Sequence, residues 1–386
     1  MSEPYLLSFK PQGPFYFGSS QSWDEGFHAV SRRFPTQMTV LGCLRFNLLK
    51  KKGWLSSGTE DGRLRPNFEK YENDIKGLTG NVSGDSLKPS DDNLGILARL
   101  SPVFLVEWKN GRIADFLLQA PADVVWADQA QKSIRIIDYK KTNGCSYCIR
   151  PQEAALLFRD YNNKIPPLEY YGGREFWEAY INGGKSLPFH PDLTADSLFI
   201  PESQFGIARQ ERKSIEGMFY RKDHYRLRRD YSLGVIVHFD CAQGKPEDLL
   251  PNGEIVFLGG EQSKFTLKVS PVEGEAEERI NQHPVVKDFI PDADGYSFPN
   301  AGVKVKLAAL SPLLELPPAN NLEFAIIPGL ETVRMIGGKK MIKSDAYSMI
   351  PVGSVFYPAQ GYSYKSSNSY ATKIGYNRAV HAQRGA

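Results

Sequence analysis

Three observations in this sequence predict an α+β fold in two halves. Glycine (34) and proline (26) are frequent and punctuate short runs rich in Tyr (19), Phe (22) and β-branched residues. Such runs read as strands joined by turns and long loops. Few segments carry a helical period, and each half contains a strand-like opening, hairpin signals and one or two helices. At 386 residues the chain has room for two or three domains with full cores. No fixed-period repeat points to a solenoid.

Residues 4–10 (PYLLSFK) read as the first strand, followed by turn residues Pro11, Gly13 and Pro14. In the run 39–53 (TVLGCLRFNLLKKKG), Val40, Leu44, Leu48 and Leu49 fall near helical spacing. Lys50 to Lys52 suit the negative end of that helix, and Gly53 suits its stop. Residues 56–93 are polar, so little apolar surface offsets their ordering entropy and a mobile insertion is expected. Residues 102–126 carry Asn110-Gly111 between two apolar runs, the signature of a hairpin with a type I′ turn. Another strand is expected at 133–139, and one or two helices within 151–182, with Leu156, Leu157, Phe158, Trp177 and Tyr180 as core candidates.

A second organisation begins near residue 198. It includes a strand at about 231–240, and two apolar stretches around Gly259-Gly260 in GEIVFLGGEQSKFTLKVS. Further strands are expected at 303–309, 323–327 and 353–358, ahead of a polar stretch, 360–386, with Gly375 and Gly385. The alternation fits a ferredoxin-like (RRM-like) βαββαβ fold used twice, with inserted loops and hairpins. The expected domains are 1–197, holding the insertion at about 56–93, and 198–386.

Hydrophobic residues make up 41% and charged residues 24%, an ordinary soluble composition. The net charge of +3 is too small to name a nucleic-acid partner unless the basic residues cluster. The four cysteines, Cys43, Cys145, Cys148 and Cys241, form no framework and suit a reducing compartment. The opening Met1-Ser2-Glu3-Pro4 is unlike a signal peptide, and no apolar run approaches the ~18 residues of a membrane span, so a cytoplasmic protein is expected.

Five segments, in order, resemble one family. They are RRFPTQMTVLGCLR (32–45), SPVFLVEWKNGRIADFLLQAPADVV (101–125), FGIARQERKSIEGMFYRKDHYR (205–226), FLGGEQSKFTL (257–267) and MIPVGSVFY (349–357). Together they are similar to the RAMP superfamily of CRISPR proteins, and within it to the type III-B Cmr-complex subunit of the Cas-five-like group. The family's loop usually continues Gly-Gly-Glu-Gly-Arg; here Glu261 is followed by Gln262, Ser263 and Lys264. Lys264 restores a charge but not the planar guanidinium fork. The C-terminal Gly-rich loop of RAMP proteins is reduced to Gly375 and Gly385.

The resemblance implies a non-catalytic subunit that caps the 5′ handle of the guide RNA (crRNA) in antiviral defence. Its implied partners are other Cmr and RAMP subunits and the large polymerase-like CRISPR subunit, with target RNA met only indirectly, no membrane and no cofactor. Three groups of residues are candidates for RNA contact. The first is Arg32, Arg33, Thr39, Gly42 and Arg45 around the first helix, where a helix N-terminus favours phosphate and a glycine admits a backbone. The bland reading is a packing glycine and solvated arginines.

The second group lies within 209–229: Arg209, Arg212, Lys213, Phe219, Tyr220, Arg221, Arg226 and Arg228. Basic residues among aromatics suit single-stranded RNA, where charge follows the backbone and rings stack on bases. A solvated hairpin is the plain alternative. The third group is Gly259, Gly260 and Lys264, either an anion-binding nest or an ordinary turn.

Cys145-x-x-Cys148 lacks the second pair that a four-ligand zinc site needs, so paired loop thiols are expected and no metal. His28, ahead of Arg32 and Arg33, is the one candidate for a guide-processing endoribonuclease, as general acid or base. Two further readings stay open: a chiefly architectural subunit, and the equivalent subunit of another type III complex. No paired carboxylates, HExxH, P-loop or GxSxG motif appears.

Overall fold

A computed structural model describes residues 2–18, 28–57, 64–80, 93–128, 132–136, 168–184, 186–210, 213–259, 263–290, 305–315, 322–328, 330–333, 336–337, 342–343, 347–358 and 368–384. The chain begins with β1 (Ser2–Pro11), β2 (His28–Val30), α1 (Gln37–Lys51), β3 (Leu55–Ser57), β4 (Leu64–Pro66), α2 (Phe68–Thr79) and β5 (Leu97–Leu100). Next come β6 (Phe104–Lys109), β7 (Arg112–Gln119), β8 (Val124–Asp128), β9 (Ser133–Ile136), β10 (Tyr171–Gly172) and α3 (Arg174–Ile181). The remainder holds β11 (Phe199–Gln210), β12 (Lys213–Leu227), β13 (Tyr231–Asp240), β14 (Ile255–Phe257), β15 (Lys264–Pro271) and α4 (Gly274–Gln282). It closes with β16 (Val305–Ala309), β17 (Leu322–Ile326), β18 (Val355–Pro358) and β19 (Ala379–Gln383). The fold is mixed α/β, rich in sheet, with few helices.

Two compact units form, and neither is contiguous. The first comprises Met1–Val103, Leu198–Val272 and Val333–Asp345; the second comprises Phe104–Ser197, Glu273–Thr332 and Ala346–Ala386. This corrects the expected halves 1–197 and 198–386. The chain does change unit between Ser197 and Leu198, but each unit draws on both halves. Long-range strand pairing is the cause. On one edge of β1, Ser2 to Phe9 run antiparallel to Asp240 to Leu233; on the other, Tyr5 to Pro11 run antiparallel to Pro271 to Phe265. A strand filled on both edges from beyond residue 230 cannot belong to an N-terminal half alone.

In the first unit the strand order is β13-β1-β15-β14, with β5 also paired to β13. A second layer pairs β11 with β12 antiparallel and β12 with β2 parallel. Helix α1 starts because the Thr36 hydroxyl accepts the Thr39 N–H at 3.2 Å. It is held because Val40, Leu41, Leu44 and Leu48 are almost wholly buried, each contributing about 1.5–3 kcal/mol.

The expected mobile insertion at 56–93 is corrected in part. Residues 64–80 form β4 and α2. Asn67 caps α2 through the Lys70 N–H at 3.2 Å, Ile75 and Leu78 are buried, and the Tyr71 ring stacks on Trp54 with centroids 5.7 Å apart. The signal was present as Phe68, Tyr71, Ile75 and Leu78, one face of a helix in a polar stretch. Residues 58–63 and 81–92 lie outside the described residues.

The second unit holds β10-β7-β6, the β8–β9 hairpin and a sheet in the order β17-β18-β16-β19. Asn110 and Gly111 turn β6 into β7 with φ of 53° and 77°, both positive as a type I′ turn demands. Trp177 and Tyr180 on α3 are fully buried, as expected of core residues; Leu156, Leu157 and Phe158 lie outside the described residues. The sheet core gathers Leu307, Leu322, Ile350 and Phe356. The stretch 360–386, read as polar, contains a short helix, Ser369–Lys373, and β19. Burial of Tyr370, Ala371, Ile374 and Tyr376 anchors it.

Candidate nucleic-acid interface

The three residue groups singled out in the sequence all fall in the first unit, and a short segment, Phe15 to Phe17, ties their backbones together. Phe15 exchanges backbone hydrogen bonds with Tyr225 of β12, at 2.9 and 3.0 Å. The Phe17 N–H donates to the Ser31 hydroxyl at 2.9 Å, and the Phe17 carbonyl accepts the Arg32 N–H at 2.9 Å. The Tyr16 N–H donates to the Ser263 hydroxyl at 3.0 Å, beside Gly259. In the sequence, residues 11–14 read as a turn and no motif marks Phe15 to Phe17 as a functional segment. Its signal was Phe15 and Phe17, which pack on Phe265 with centroids 5.7 and 6.0 Å apart.

The approach to α1 leans on the β11–β12 hairpin. The Arg33 guanidinium lies over the Tyr225 ring at 5.5 Å, and Phe34 meets Phe199 edge-on at 5.6 Å. Arg32 and Arg33 are half-buried. Along α1, Thr39, Gly42 and Arg45 recur three residues apart on the side away from the buried stripe. Gly42 is exposed, and a Cβ built there meets nothing within 4 Å. The packing explanation for this glycine therefore fails. Glycine in a helix interior costs about 0.8–1.0 kcal/mol relative to alanine, and no neighbour among the described residues requires it.

Opposite residues of the hairpin share a face. One face carries Phe205, Arg221, Ser203 and Asp223, and parallel β2 adds His28 to it. Asp223 accepts from Arg221 Nε at 2.8 Å, Ser203 Oγ at 2.7 Å and His28 Nε2 at 2.8 Å. Burial pushes this carboxyl upward, but hydrogen bonds from Arg221, His28 and Ser203 outweigh it and hold the pKa down at about 2. Arg221 also lies over Phe205, 5.9 Å from the centroid of that exposed ring. On the other face Arg226 makes a two-pronged ion pair with Glu202. Two of the expected phosphate-binding arginines thus already hold carboxylates.

The remaining candidates are more dispersed. Arg209 and Lys213 sit at the far end of the hairpin, in register with Ser214 and Gln210. Phe219 and Tyr220 lie on β12, Tyr220 opposite Gly206. The side chains of these four, with all of Arg212 and Gly260, lie outside the described residues. Arg228 is exposed at the end of the hairpin, where its N–H donates to the Leu198 carbonyl at 3.0 Å.

Gly259 has φ of 88°, and a Cβ there would stand 2.7 Å from Phe17 Cδ1. That supplies a packing reason for this glycine, independent of any ligand. Lys264 does not join the cluster. It alternates with Phe265, which packs toward Phe15 and Phe17, so its side chain leaves from the opposite face of β15. Cys145 and Cys148 lie outside the described residues, and no described helix is long and apolar enough to cross a membrane.

The model of one protein family, CRISPR-associated protein (Cas_Cmr3), matches residues 7–296. Among solved structures, a chain of the type III-B Cmr-beta complex bound to cognate target RNA is similar at 17% identity and a TM-score of 0.46, covering 99% of each chain. A chain of the same complex with cognate target RNA and AMPPnP is also 17% identical, with a TM-score of 0.45, covering 98% of this chain and 96% of that one. A chain of the Csm3-Csm4 subcomplex of the type III-A CRISPR-Cas interference complex is 12% identical with a TM-score of 0.36, covering 98% of each. No curated protein matches the sequence.

Proposed function

The chain belongs to the Cas_Cmr3 family of CRISPR-associated proteins, RAMP subunits of the type III-B Cmr complex, and from that premise we propose that it caps the 5′ handle of the guide RNA without cutting it. In this reading each unit is an elaborated ferredoxin-like fold. The protein works in the cytoplasm, docks onto neighbouring RAMP subunits and the large polymerase-like subunit, and meets target RNA only through the guide. Phosphates lie along the exposed face of α1 past Thr39, Gly42 and Arg45, and bases stack along the aromatic and basic hairpin.

Gly42 is the observation that carries this reading. An exposed mid-helix glycine with empty space above it weakens the helix, and close passage of an RNA backbone supplies a reason for it. The test measures binding of the purified protein to guide RNA with its handle intact or scrambled, across a salt series. Handle-selective, salt-sensitive binding is expected, because phosphate contacts release counterions. Gly42→Ala is expected to weaken that binding while stabilising the fold by up to ~1 kcal/mol. Equal affinity for both RNAs, or binding indifferent to Gly42→Ala, rejects the capping role.

One observation favours a second reading. His28 is half-exposed and hydrogen-bonded to a carboxylate, the arrangement of an oriented general acid or base. A denaturing gel separates the two readings. Intact RNA supports the cap; cleavage by wild type that is lost in His28→Ala establishes a nuclease.

A further inference from the structure

Lys264, turned away from the other candidates, belongs to a second surface at the edge of the first unit's sheet. Among the described residues β14 pairs on one side only, with β15. Its outer face carries Ile255, 55% exposed, and Phe257, 46% exposed, while Val256 between them is buried. The register sets Phe257 opposite Lys264 and Ile255 opposite Thr266. Thr266 in turn stands opposite Lys10 of β1. Opposite residues in an antiparallel pair share a face, with Cβ atoms about 5 Å apart. Lys268, two residues beyond Thr266, emerges on the same side.

This corner therefore sets a half-exposed aromatic ring and an isoleucine among three exposed lysines, Lys10, Lys264 and Lys268. No Asp or Glu occupies the register positions between them. Gln12 steadies the corner by donating to the Thr266 hydroxyl at 2.6 Å. A lone exposed apolar residue needs no explanation, but a ring framed by cations of one sign matches a polyanion with stackable faces.

We infer that this corner is a stacking platform for single-stranded guide RNA: Phe257 takes a base, and Lys10 and Lys264 take the flanking phosphates. The inference rests on the RNA-binding reading above but adds a surface on the opposite side of β15 from Phe15 and Phe17. Single-stranded RNA is favoured over an acidic protein because an exposed ring and a lysine occupy opposite register positions, and alternating aromatic and basic side chains track bases and phosphates in turn.

The test compares guide-RNA affinity and salt dependence for wild type, Phe257→Ala, Phe257→Leu, Phe257→Tyr and Lys264→Gln. Phe257 is half-exposed on an edge strand, so all four variants are expected to fold, which circular dichroism verifies. Loss of the ring is expected to weaken binding about 5- to 150-fold, in Leu as in Ala, with affinity kept in Tyr. Lys264→Gln is expected to reduce the salt slope by about one, and Phe257→Ala to leave it unchanged. Handle-selective binding by wild type with Phe257→Ala and Phe257→Leu unaltered overturns the platform and leaves the capping role standing. Unaltered RNA binding with lost capture of neighbouring subunits overturns it in favour of a protein-docking edge. A wild-type chain that binds no guide RNA overturns both readings.

Discussion

Both units build an aspartate into a hydrogen-bonded cluster with a cation, and the two clusters are opposites. In the first, Asp223 meets Arg221 and His28 at the surface, where the Arg221 and His28 side chains are 45% and 49% exposed. In the second, Asp123 and Lys306 form an ion pair of which almost nothing reaches solvent. Tyr180 and Tyr357 donate their hydroxyls to Asp123 at 3.0 and 3.1 Å, and the Lys306 ammonium lies 4.1 Å from the centre of the Tyr180 ring. Burial and the nearby Asp123 charge push the Tyr180 hydroxyl far up, so it stays a donor. Water screens the first cluster, whose Arg221 and His28 side chains are held by Asp223 yet half-exposed. The second cluster is closed off, and its four side chains cross-link segments that are distant in the chain.

The histidines repeat the contrast. His28 shares its ring nitrogen with Asp223 and faces water. His283 is fully buried, and its Nδ1 accepts the Val285 and Val286 N–H groups at 3.2 Å each. Burial holds its pKa down at about 3, with a smaller push from the Arg174 charge. In these two clusters and these two histidines, the partners of the first unit reach solvent and those of the second lie in its interior.

The sharpest way to break this comparison is Lys306→Met. It strands a buried carboxylate and is expected to cost about 3–5 kcal/mol by urea unfolding. A cost below ~1 kcal/mol would place this pair with the surface clusters. Next is acid. The folded pKa of His283 lies below the ordinary value of 6.5, so its contribution is complete above pH 6.5 and drains away as pH falls toward about 3. The expected loss is on the order of 5 kcal/mol across that window, and His283→Gln should flatten the stability profile there. A profile of the same steepness in that variant assigns the acid sensitivity elsewhere.

The smallest effect belongs to Asp223. Its pKa is depressed from 3.8 to about 2, so its contribution is present above pH 4 and lost as pH falls through about 2. Asp223→Asn is expected to cost about 1 kcal/mol at neutral pH, because solvent screens its partners. A cost as large as that of Lys306→Met would mean that the hairpin cluster is a structural lock rather than a surface device.

Features set by near neighbours were legible without a structure. Asn110-Gly111 announces its turn because positive φ is a property of those two residues. The apolar run 231–240 is a strand end to end, and α1 follows from its apolar stripe to within two residues at each end. The Cas_Cmr3 family was likewise legible, from five short segments in order. Helix α2 was missed because four apolar residues were diluted by polar ones, so average composition hid the period.

Tertiary structure alone decided which strands meet and which faces the side chains occupy. Nothing near Ser8 indicates that it pairs with Gly234 and Lys268, and His28 reaches its carboxylate across 195 positions. Loop-closure entropy grows only with the logarithm of loop length, so distance along the chain hardly discriminates among partners. The complementarity of the assembled sheets does. By itself the sequence determined the family, the local turns and the candidate residues. Only the folded chain placed Arg33, Gly259 and the hairpin around Phe15 to Phe17 and turned Lys264 to the other side.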